Sequence, residues 1–182
     1  MVALPSLERN RRIRTGETMT LALISMLRSL LIAGILVVLT VCETRAAEPA
    51  MTRQVLFVCE HGNVKSLMAA TYFNELARSR GLPFRAVSRG LAPDSDSVPE
   101  FVKAPLAAEG YDVSTFRPQR LTDDDIATSA RVIAISTALP AASTAAHSEQ
   151  WNDVPAASTD FARSRDSIRA HVAELLDRLA RH

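Results

Sequence analysis

Apolar and polar positions along this chain switch between two periods. "QVLFV" (Gln54 to Val58) is a continuous apolar run of strand length, the type buried on both faces of a parallel sheet. From Ser66 to Arg80 the spacing becomes helical: Leu67, Ala70, Phe73, Leu76 and Ala77 recur on one face, and Gly81 with Pro83 supplies the stop. "FRAVSRG" (Phe84 to Gly90) reads as a second strand ending in a glycine turn, and "APDSDS" (Ala92 to Ser97) as loop. A helix is predicted over Val98 to Glu109, with Pro99 at or near its first position and an irregularity at Pro105. Thr122 is the expected cap of another, with Asp123, Asp124 and Asp125 in its first turn as a solvated acidic start. "RVIAIS" (Arg131 to Ser136) is a third buried strand. A fourth belongs between His147 and Val154, where the pattern does not fix its bounds. Ile168, Val172, Leu175, Leu176 and Leu179 form one stripe, which predicts a last helix from about Thr159 to Leu179.

Strands alternating with helices imply an α/β fold: a small, doubly wound, four-stranded parallel sheet with helices on both faces. The Ala/Ser/Thr-rich stretch from Thr137 to Ser148 reads as a surface loop. The front of the chain departs from this pattern. "RNRRIR" (Arg9 to Arg14) and Arg28 precede "LLIAGILVVLTVC" (Leu30 to Cys42), and small residues follow. A basic segment, an apolar run of roughly 13 residues and a small-residue cleavage point fit a secretory signal, whereas a spanning helix needs about 20 apolar residues. The expected organisation is a signal peptide over residues 1–46, a linker over 47–53 and a folded domain over 54–182, with a periplasmic or secreted location. The alternative is an uncleaved membrane anchor formed by residues 30–42.

Charge and composition narrow the partners. The chain has 182 residues and a net charge of +1, so nothing global argues for nucleic acid. Cleavage would remove Cys42 and leave Cys59 as a single thiol, so no internal disulfide is expected. His147, His171 and His182 are scattered without ligand spacing; no metal and no cofactor are expected. Trp151 reads as a packing residue.

The chemistry concentrates in "VLFVCEHGNVKS" (Val55 to Ser66). Cys59 stands at the carboxyl end of the first strand, where doubly wound sheets bind ligands. The amides of Glu60, His61, Gly62, Asn63, Val64 and Ser66 can curl into an anion-binding nest against a helix start, whose dipole adds positive potential. Such a field favours the thiolate, which is the nucleophile. Gly62 and Asn63 tolerate the positive φ that inward-pointing amides require. Lys65, six places after Cys59, brings the cation.

This loop, with "AVSRG", "LTDDDIATSARVIAIS" and "WNDVP", resembles the low-molecular-weight protein tyrosine phosphatases and the related thioredoxin-coupled arsenate reductases, over most of residues 54–179. The family carries Cys-x5-Arg-Ser after its first strand. The resemblance implies Cys59 as nucleophile, Ser66 as donor to its thiolate, Lys65 in place of the phosphate-gripping arginine, and Asp153 as acid and then base, with Asp160 as the fallback. Two departures stand out: Gly62 and Asn63 fall one place later than the family's glycine and asparagine, and Lys65 offers a point charge where arginine offers a planar fork. Losing one well-placed donor of that kind costs about 3 to 4 kcal/mol, or roughly 100- to 1000-fold in rate, unless Arg85 or Arg89 compensates from the second strand. The implied activity is an exported, weak phosphomonoesterase acting on a phosphorylated protein or small molecule through a cysteinyl-phosphate. The alternative is a non-catalytic domain that binds phosphate or a phosphoprotein. An arsenate reductase would need resolving cysteines, and "STALP" (Ser136 to Pro140) offers none where that family carries one.

Overall fold

The computed structural model describes residues 52–140 and 147–181. The segment read as a signal peptide or anchor, and the centre of the loop expected between Thr137 and Ser148, lie outside the described residues. Strand β1 (Arg53–Cys59) is buried at every position from Val55 to Cys59, as a central strand covered on both faces must be. Strands β2 (Phe84–Gly90), β3 (Arg131–Ile135) and β4 (Ser148–Trp151) complete one sheet in the order β2-β1-β3-β4, and every pairing is parallel. The register pairs Cys59 with Gly90 and Ile135 with Trp151, which gathers the carboxyl ends of the strands along one edge of the sheet.

Four helices are described: α1 (Lys65–Ser79), α2 (Glu100–Ala108), α3 (Asp123–Thr128) and α4 (Phe161–Leu179). They cover the sheet unequally. Alternate residues of β1 divide the core, with Val55 and Phe57 facing side chains of α1, α2 and α4, and Leu56 and Val58 facing Ile126 of α3. Phe57 is fully buried, with its ring 5.7 Å from that of Phe73 and 5.6 Å from that of Trp151. Burying one such side chain contributes about 1.5–3 kcal/mol, against about 0–1 kcal/mol for an exposed ion pair. The aromatic cluster therefore holds the helices to the sheet, and surface pairs such as Arg80 with Asp177 add little.

Local chemistry sets the helix ends. Pro99 is the residue before α2 and not its first member; its carbonyl accepts from the amides of Val102 and Lys103. Pro105 lies inside α2 without ending it. Thr122 caps α3 in a reciprocal box with Asp125. The acidic start expected to be solvated is only partly so. Arg89 grips Asp125, with Nε 3.0 Å from each carboxylate oxygen and Nη2 2.9 Å from Oδ1. Burial pushes the Asp125 carboxyl up, but the bonds from Arg89 and Thr122 together outweigh it and hold it below the ordinary value.

Candidate active site

Cys59 is the last residue of β1 and is 6% exposed. The chain then turns through Glu60–Val64 and enters α1 at Lys65. Helix α1 begins with no side-chain cap and no acid in its first turn, so its positive end is left for a ligand. The sulfur has two partners: the Gly62 amide donates to it at 3.3 Å, and Ser66 Oγ lies 3.0 Å away. Ser88 Oγ, on β2, donates to Ser66 Oγ at 2.8 Å and lies 3.0 Å from the Gly62 carbonyl oxygen. The single Ser88 proton can serve either of these acceptors; when it goes to Ser66, the Ser66 proton is free to face the sulfur. Sequence reasoning missed Ser88; the signal was a hydroxyl at an inward position of a strand buried on one face.

Gly62 and Gly90 explain how the displaced glycine is accommodated. Gly62 has φ +76°, which only glycine adopts freely. Its backbone lies so close to β2 that a Cβ on Gly90 would stand 2.6 Å from the His61 carbonyl carbon and 2.8 Å from the Gly62 nitrogen. Those neighbours are backbone and cannot swing aside. Gly90→Ala is therefore expected to lower stability by about 2–3 kcal/mol and to displace the loop. An unchanged urea midpoint would show that the two segments part freely. Asn63, expected alongside Gly62 at positive φ, is not there. It is instead 3% exposed, and its Nδ2 donates to the Ser97 carbonyl at 3.0 Å, which ties the loop to the segment before α2.

The loop opens on a cavity of about 260 Å³. Cys59, Glu60, His61, Val64 and Lys65 form one side; Phe101, Ser136 and the stretch Ala156–Ser158 form the other. Phe101 is 43% exposed, the exposed large apolar side chain of the described residues. Ser136 has φ +50°, an uncommon state for serine, just past the carboxyl end of β3. Lys65 Nζ donates to Ser136 Oγ at 2.8 Å and to the Val154 carbonyl at 3.0 Å. Burial pushes the Lys65 ammonium below its ordinary pKa, and the negative charge of a Cys59 thiolate opposes that shift.

Other residues singled out in the sequence stand elsewhere. Neither Arg85 nor Arg89 compensates for Lys65: Arg89 is held by Asp125, and Arg85 pairs in register with Gln54 at the far end of β1. His61 Nδ1 lies 3.3 Å from both the Ala92 carbonyl oxygen and Asp94 Oδ1. Asp153 is not among the lining residues. Its carboxylate, 69% exposed, lies 2.9 and 3.0 Å from Nε2 of His171, whose ring stacks on Trp151 with centroids 4.7 Å apart. Asp160 caps α4, accepting from the Arg163 amide at 2.9 Å. Sequence spacing could not anticipate the pairing of Asp153 with His171, which joins a loop to the middle of α4.

Comparisons with known proteins agree with this fold. No curated protein matches the chain. Among solved structures, it is similar to a low molecular weight protein tyrosine phosphatase from T. tengcongensis, with 20% identity and a TM-score of 0.63, over 69% of this chain and 99% of that one. It is also similar to an arsenate reductase from Archaeoglobus fulgidus, with 27% identity and a TM-score of 0.55, over 68% of this chain and 98% of that one. A thioredoxin-dependent arsenate reductase from Corynebacterium glutamicum shares 23% identity with a TM-score of 0.57, over 80% of this chain and 69% of that one. The profile of the low molecular weight phosphotyrosine protein phosphatases matches residues 54–154, which include the thiol loop, the paired glycines and Val154. On that match, with the four-stranded parallel sheet to support it, the chain belongs to the low molecular weight phosphotyrosine protein phosphatase family, whose fold it shares with arsenate reductases.

Proposed function

We propose that this domain is a cysteine-dependent phosphomonoesterase. The observation that carries the reading is the environment of Cys59. Its sulfur receives the Gly62 amide and faces Ser66 Oγ at the mouth of an uncapped helix, beside a cavity that Lys65 also lines. A phosphate monoester entering that cavity brings its dianion toward the helix end and the ammonium, both of which attract it. The Cys59 thiolate then attacks phosphorus, the ester P–O bond breaks, and the leaving oxygen takes a proton. Water attacks the cysteinyl-phosphate, inorganic phosphate leaves, and the thiolate is restored with Ser66 donating to it.

Arsenate reduction has less support, because it must pass oxidation on to a further thiol. Cys59 is the free cysteine among the described residues, so no partner sulfur is there to take it. The proposal is tested by acid-quenching the protein during turnover of an aryl phosphate and mapping the phosphoryl group by mass spectrometry. A phosphoryl group on Cys59 is expected. Hydrolysis with no such adduct at any quench time would sink the covalent route, and binding without hydrolysis would leave an anion-binding domain.

A further inference from the structure

The covalent route needs an acid for the leaving oxygen, and the candidates read from sequence are engaged outside the cavity. Asp153 is held by His171, and Asp160 caps α4. Asp94 faces His61, and Asp125 is gripped by Arg89. Glu60 is different. It directly follows the nucleophile, is exposed, and is the carboxylate among the residues that line the cavity. Its Oε2 lies 3.3 Å from the Thr137 hydroxyl, which donates to it from the segment just past β3, next to the lining residue Ser136. That hydroxyl holds the carboxyl beside the cavity that Cys59 also lines, within which a bound ester would have to release its alcohol.

We infer that Glu60 is the catalytic acid and base of this site, in place of Asp153; this rests on the phosphomonoesterase reading. In the first step the Cys59 sulfur bonds to phosphorus and the P–O ester bond breaks. Its electron pair goes to the leaving oxygen, which takes the proton of the Glu60 carboxyl. In the second step the Glu60 carboxylate takes a proton from water as the water oxygen bonds to phosphorus and the P–S bond breaks. The thiolate and the protonated carboxyl are regenerated together.

A leaving group that departs without protonation separates this role from a structural one. Full-length wild type, Glu60→Gln, Glu60→Asp and Asp153→Asn are assayed with phenyl phosphate and with 2,4-dinitrophenyl phosphate, while formation of cysteinyl-phosphate is followed by quench and mass spectrometry. Glu60→Gln is expected to lose about 100- to 10000-fold with phenyl phosphate, the usual worth of a positioned acid, and to form cysteinyl-phosphate from the dinitrophenyl ester at close to the wild-type rate. Glu60→Asp recovers part of the loss, and Asp153→Asn leaves both substrates near wild type. The inference is overturned if Glu60→Gln loses equally on both esters, or if Asp153→Asn shows the leaving-group-dependent loss. If wild type forms no cysteinyl-phosphate from either ester, the phosphomonoesterase reading itself falls and Glu60 falls with it. An adduct formed normally from both esters by Glu60→Gln removes only the role of Glu60.

Discussion

Cys59→Ser is expected to abolish hydrolysis of aryl phosphates, by on the order of 10000-fold or more, while inorganic phosphate still binds. The substitution removes the polarizable thiolate and puts in its place a hydroxyl that is almost wholly protonated at neutral pH. The surroundings remain: the Gly62 amide, Ser66 Oγ and the uncapped start of α1 would meet an oxygen close to where the sulfur now stands. Those groups account for anion binding, and none of them supplies the bond to phosphorus. The fold should tolerate the change, because the side chains are nearly the same size and Ser66 offers the new hydroxyl a partner. Initial rates with an aryl phosphate, together with phosphate binding followed by calorimetry, read the two properties separately. Rates equal to wild type would mean that Cys59 is not the nucleophile. Loss of phosphate binding along with rate would mean that the sulfur is needed to shape the loop as well as to react.

How much of this site the sequence disclosed depends on how local each interaction is. The limits of β2 and the apolar stripe of α4 could be read directly, because a strand buried at alternate positions and a helix packed on one face leave regular patterns. β4, with the sequence SEQW, could be located but not bounded. It is an edge strand of four residues in which Trp151 alone is buried, so it carries neither alternation nor an apolar run. The thiol loop was legible as a strand, nucleophile and helix start because all three are adjacent in the chain. Its support was not. Ser88, Gly90, Ser136 and the stretch Ala156–Ser158 reach the loop across the sheet, and nothing near them in sequence points to Cys59. Arg89 shows the same limit from the other side: its position on β2 suggested a second cation for the loop, and the non-local bond to Asp125 claims it. A motif can thus be recognised from one segment, whereas the partners that decide its strength come from three others.

Lys65 is where that distinction has its largest consequence. An ammonium has three donors, and two of them go to Ser136 Oγ at 2.8 Å and the Val154 carbonyl at 3.0 Å, which leaves one for a phosphate oxygen. A guanidinium carries five donors, so Lys65→Arg can keep both protein bonds and still present a pair of N–H groups to the ligand. The expected result is a rise in kcat/KM, up to the roughly 100- to 1000-fold that one well-placed donor is worth; Lys65→Met is expected to fall by a similar factor. The pH profile provides an independent readout. Burial lowers the Lys65 pKa, so the ammonium is lost, and activity with it, at a pH below the ordinary 10.5. The arginine variant stays charged throughout that range and should lose this alkaline limb. The stability effect has the opposite sense. A lysine whose pKa is lowered on folding binds fewer protons in the folded than in the unfolded state across the window between the lowered value and 10.5, so stability rises with pH there. Lys65→Met should show the missing activity without that rise. Wild type and Lys65→Arg both inactive, with phosphate still bound, would mean that the loop has kept its anion site and given up catalysis. An alkaline limb unchanged in the arginine variant would assign it to some group other than Lys65.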